Sequence, residues 1–70
     1  MSDWSATADG MLAEANYLPS HEFEVAVSRG GVRKSKRVPA TWEPRFGIDN
    51  GDMAAIMEAA EQLAKEIESG

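Results

Sequence analysis

Two adjacent glycines, Gly30 and Gly31, follow a segment that alternates polar and apolar residues, and this pairing constrains the chain more than anything else in it. In Glu22-Phe23-Glu24-Val25-Ala26-Val27-Ser28 the side chains of Phe23, Val25 and Val27 share one face of a strand. Two glycines are free to adopt the positive φ that a two-residue hairpin turn demands. The chain is therefore expected to fold back on itself, with a returning strand over residues 32–38. The loop length fixes the register, setting Phe23 against Val38, Glu24 against Arg37, Val25 against Lys36 and Val27 against Lys34. Two lysines on the apolar side are tolerable only on an edge strand, where their stems cover apolar surface while the ammonium groups reach water.

The flanks read as helical. Trp4, Ala8, Met11, Leu12, Ala15 and Leu18 recur at steps of three and four, which predicts a first helix capped by Ser2 or Ser5 and stopped by Pro19, with Gly10 weakening its middle. A second helix is predicted from Asp49-Asn50-Gly51-Asp52, with Asp49 or Asn50 as cap and Asp52 at the positive end of its dipole. Its stripe is Met53, Ile56, Met57, Ala60, Leu63, Ala64 and Ile67. Between hairpin and second helix, Pro39 and Pro44 leave room for a short or edge strand at most, and Trp42, Phe46 and Ile48 are expected to plug the sheet. The expected class is α+β: an antiparallel hairpin, with room for a third strand, and both helices on one face, in the order α-β-β-(β)-α.

Seventy residues make one domain, residues 1–70, with a single thin core. The absence of cysteine removes disulfides, thiolate nucleophiles and cysteine-type zinc sites, and points to a reducing, cytoplasmic setting. No basic-then-apolar leader and no run of about 20 apolar residues is present, so neither export nor a membrane span is expected.

Charge is sorted along the sequence. The formal net charge is −5, yet Arg29, Arg33, Lys34, Lys36, Arg37 and Arg45 cluster so that residues 29–45 carry +5 and the flanks −10. Catalytic and metal signatures are missing: His21 beside Ser20 and Glu22 reads as a turn residue, Asp49-Asn50-Gly51-Asp52 lacks calcium-loop spacing, and no cofactor is implied. The expectation is a non-enzymatic protein.

Two surfaces remain as contact candidates. One is acidic, formed by Asp49, Asp52, Glu58, Glu61, Glu66 and Glu68, and would dock on a cationic surface of another protein. The other is the basic hairpin, which would neutralise phosphates in nucleic acid or act as a charged edge paired internally with the chain's own carboxylates. Imitation of duplex phosphates would also need Asp3, Asp9, Glu14, Glu22 and Glu24 on the helix side, since the helix alone offers five carboxylates where DNA presents about 14 charges over the same length. In general character, through Glu58, Glu61, Glu66 and Glu68 in a short cysteine-free chain, the sequence resembles the small acidic inhibitors of phages and mobile elements, such as anti-CRISPR proteins and DNA mimics. That resemblance implies occlusion of a nucleic-acid-binding partner. The alternatives are a nucleic-acid-binding accessory protein and a structural subunit, monomeric or weakly dimeric, with Trp4, Trp42 or the methionine stripe buried against a second copy.

Overall fold

The turn at Gly30-Gly31 forms as expected, and the computed structural model, which describes residues 3–8, 10–45 and 47–69, builds a larger sheet around it than the sequence suggests. Strands β1 (Trp4–Ala8), β2 (Met11–Leu18), β3 (Glu22–Arg29) and β4 (Val32–Pro39) form one antiparallel meander in the order β1-β2-β3-β4. Among the described residues a single helix, α1 (Asn50–Ser69), follows. The expected order α-β-β-(β)-α is thus corrected to β-β-β-β-α, with one helix in place of two. Ser2 and Phe46, expected to cap and to plug, lie outside the described residues.

The segment expected as the first helix is a hairpin. Ala8 faces Met11 across a two-residue loop whose second member, Gly10, has φ 76°. An Asp-Gly pair between two strands is a strong hairpin signal, because glycine enters the left-handed region without a Cβ penalty. Pro19 belongs to the next turn rather than to a helix end. The His21 amide donates to the Leu18 carbonyl at 3.0 Å, and His21 has φ 63°. This is a type I turn with proline at its second position, closed by a left-handed residue, a common three-residue hairpin connection. In the third hairpin, Gly30 at φ 59° occupies the first loop position, as a type II′ turn requires.

The β3–β4 register is the one the glycine turn dictates: Phe23↔Val38, Glu24↔Arg37, Val25↔Lys36, Val27↔Lys34. Phe23, Val25 and Val27 are fully buried under α1, together with Ile56, each side chain contributing about 1.5–3 kcal/mol on leaving water. Ala15, Ala59 and Leu63 complete the centre of this core. The two inward-side lysines behave as edge residues. Lys34 pairs with Glu66 at 3.8 Å, and the Lys36 ammonium donates to the Gln62 side-chain oxygen at 2.8 Å.

Among the described residues no further strand forms between Pro39 and α1, and the expected plug is made by Ile48 but not by Trp42. Trp42 is 69% exposed, while Ile48 packs against the core. What closes this loop is polar. Asp49 caps α1 by accepting from the Gly51 amide at 2.9 Å, and its carbonyl takes the Met53 amide at 2.8 Å. Asp52, 3% exposed, accepts from the Thr41 amide (3.0 and 3.2 Å) and from the Thr41 hydroxyl (3.0 Å). The loop is thereby held against the first turn of the helix.

α1 is not centred on the sheet. It packs along β3 and β4, meets β2 at its margin and stays clear of β1. Four strands spaced about 4.8 Å apart are roughly 19 Å wide, and a helix with its side chains covers about 10–12 Å. The uncovered part is the inner side of β1 and the adjoining strip of β2 around Ala13: Ala6 and Ala8 are exposed and Ala13 is half-buried, whereas Met11 and Ala15 of β2 are buried in the core.

Candidate functional site

The uncovered strip is a groove of about 380 Å³. Its floor follows from the period of two: Trp4, Ala6 and Ala8 of β1 lie opposite Ala15, Ala13 and Met11 of β2, and all six point to the helix side. Ala15 is fully buried in the core, and the other five line the groove. Four of these five are small or flexible, so the floor is apolar and low. Its wall is the flank of α1 carrying Met57, Ala60 and Ala64, and Met57 is 54% exposed. Glu61 and Glu68 line the same flank as the polar members of the groove, and both are exposed.

The acidic set divides by location. Asp49 and Asp52 are spent on the helix cap and the Thr41 latch. Glu66 lies on the opposite flank of α1, paired with Lys34. Glu58, Glu61 and Glu68 are exposed, and among the described residues they engage no cation of the chain within 4 Å. Nor do the carboxylates needed for phosphate imitation gather beside them. Glu14, Glu22 and Glu24 occupy the outer sheet face, away from α1, and Asp3 accepts from the Tyr17 amide at 2.6 Å. Asp9 is outside the described residues.

The basic hairpin is largely answered from within. Arg33 pairs with Glu24 at 3.9 Å, Arg37 with Glu22 at 3.8 Å, Arg45 with Glu43 at 2.8 Å and Lys34 with Glu66. Lys36 is held by Gln62, which leaves Arg29, at the exposed tip beside Gly30, as the member of the set without such a contact among the described residues. These are exposed pairs worth about 0–1 kcal/mol each. Their consequence is for the field: the cations on the outer face alternate with carboxylates rather than forming a continuous positive stripe.

Around His21 the hydrogen bonds run away from a relay. The His21 Nδ1 meets the Tyr17 hydroxyl at 2.7 Å, with the two rings edge to face, while the Ser20 hydroxyl donates to Glu22 at 2.8 Å. Among the described residues no three His, Cys, Asp or Glu side chains cluster as metal donors, and no helix is long and apolar enough to cross a membrane.

The sequence reading missed the groove, because it placed a helix where β1 and β2 run. The signal that locates it is Asp9-Gly10 between two alanine-rich segments of even spacing. No protein-family model, curated protein or solved structure matches this chain.

Proposed function

We propose that this protein is a non-catalytic binding module that docks on a cationic surface of another protein and works by covering it. The observation that carries this reading is the asymmetry of charge engagement: Arg33, Lys34, Arg37 and Arg45, four of the chain's seven lysines and arginines, pair with its own carboxylates, whereas among the described residues Glu58, Glu61 and Glu68 have no cation within 4 Å. Their placement adds support. Glu66 and Glu68 sit in the last turn of α1, which carries no basic residue, and carboxylates at the negative end of a helix dipole cost about 0.3–1 kcal/mol each. Lys34 offsets this for Glu66, and among the described residues no cation lies within 4 Å of Glu68 to do the same. An exposed carboxylate that the helix end disfavours gains from any external cation that reaches it.

Binding to immobilised poly-lysine and to duplex DNA tests the reading. The protein is expected to bind the polycation, to weaken as salt rises from about 50 to about 200 mM, and to lose roughly tenfold or more in affinity when Glu58, Glu61 and Glu68 become glutamine. A control that removes the same three charges at Glu14, Glu24 and Glu43 is expected to retain most of the binding. Salt-sensitive DNA binding abolished by neutralising Arg29, Arg33 and Arg37 would overturn the proposal in favour of a nucleic-acid accessory role.

A further inference from the structure

A four-stranded sheet whose helix is displaced toward β3 and β4 keeps a strip of inner face roughly 7–9 Å wide, beside a helix flank that carries Met57, Ala60 and Ala64. Small residues on that flank and on the floor, at Ala6, Ala8 and Ala13, let a second backbone approach closely. The apolar lining requires an apolar face on whatever enters. Glu61 and Glu68 are seven residues apart, two turns along the same flank of α1. These two carboxylates line the groove two turns apart, while the exposed Lys65 between them in sequence is not part of its lining, so the groove edge offers anionic positions to cations spaced along the side of a neighbouring helix.

From this we infer that the groove takes one basic amphipathic helix of a partner protein, laid beside α1 with its apolar side on Ala6, Ala8 and Ala13 and its lysines or arginines on Glu61 and Glu68. The inference rests on the reading of α1's carboxylates as a contact surface for cations and specifies the shape of what they contact. Charge selects this occupant over a second copy of the chain. An α1 from another molecule would bring Glu58, Glu61 and Glu68 against their own kind, in a chain of net charge −5.

The protein as it stands supplies the reporter, because Trp4 lines the groove and Trp42, the other indole, does not. In a Trp42→Phe background, Trp4 emission is followed during titration with a peptide of about 15 residues, long enough for marginal helicity alone, built from leucine at helical spacing and lysine elsewhere. A peptide of the same composition with leucine at every second position and poly-lysine are titrated in parallel. The expected result is a blue shift of Trp4, a gain of peptide helicity by circular dichroism, and preference for the helical spacing. Ala6→Arg, on the exposed β1 strand, is expected to weaken binding roughly tenfold by placing a cation in the groove, and Glu61→Lys to do the same without touching the sheet; Ser5→Arg, one residue along on the other sheet face, is expected to change it less than about twofold.

If poly-lysine binds through Glu61 and Glu68 while Trp4 stays unshifted and Ala6→Arg binds like the parent, the cation-docking reading survives and this inference is overturned. If neither peptide nor poly-lysine binds, both are overturned. Preference for the alternating peptide, or equal losses from Ser5→Arg and Ala6→Arg, would mean strand addition at the β1 edge instead of a helix. A dimer that already buries Trp4 would mean that a second copy fills the groove.

Discussion

Replacing Asp52 by alanine removes the carboxylate that joins the loop over residues 40–49 to the helix, and the cost follows from its surroundings. Asp52 is 3% exposed and accepts from both the amide and the hydroxyl of Thr41. Truncation strands those two donors in a part-buried position, at about 1–3 kcal/mol. It also removes an anion from the first turn of α1, at about 0.3–1 kcal/mol. Because Thr41 itself is exposed, water recovers part of the loss, and a net destabilisation of about 2–3 kcal/mol is expected. For a domain of this size total stability is roughly 4–10 kcal/mol. The melting temperature should therefore fall by about 10–20 °C, measured by circular dichroism at 222 nm. Asp52→Asn, which keeps one acceptor, should lose less than half as much. Thr41→Val and Asp52→Ala should be non-additive by about 1 kcal/mol in a double-mutant cycle. A change below about 0.5 kcal/mol for Asp52→Ala would place this carboxylate back among surface groups and refute the latch.

Three further substitutions separate competing physical effects. Gly10→Ala should destabilise by about 1–2 kcal/mol, because a Cβ is forced into the left-handed region; a Cβ there meets no atom within 4 Å, so the effect is one of backbone alone. Arg33→Ala and Arg37→Ala should each shift stability by less than about 0.5 kcal/mol in urea titrations, since both pairs are exposed and at 3.8–3.9 Å. Glu68→Lys should raise stability by about 0.5 kcal/mol through the helix dipole while weakening polycation binding, a divergence that a purely structural role for Glu68 does not produce.

What the sequence revealed and what it concealed divide along physical lines. The glycine turn and the β3–β4 register were legible because a two-residue loop and a period of two leave one solution. The helix from Asn50 was legible because a cap and a long stripe agree. The first hairpin was not, because alanines satisfy either period: Trp4, Ala8, Met11 and Ala15 fit a helix, and Trp4, Ala6, Ala8 against Met11, Ala13, Ala15 fit two strands equally well. Tertiary pairing decided between them, and Gly10 marked the turn rather than a weak point in a helix. The candidate site inherited this error. Reading residues 4–18 as a helix covers the sheet and hides the groove beside Glu61 and Glu68. The pairing of Arg33 and Arg37 with Glu24 and Glu22 was legible as a charged edge answered from within, because the hairpin register brings these side chains together; the role of Asp52 depends on Thr41, 11 residues away in a loop, which no local pattern encodes.

The groove beside α1 exists only if residues 4–18 run as two paired strands, with β1 left clear of the helix. Carbon chemical shifts and cross-strand proton contacts by NMR measure this directly. Strand-type shifts on both sides of Gly10, with close contacts between Ala6 and Ala13 and between Trp4 and Ala15, are the predicted result; helical shifts running unbroken from Trp4 to Leu18 would fill the groove with the chain itself and contradict the account.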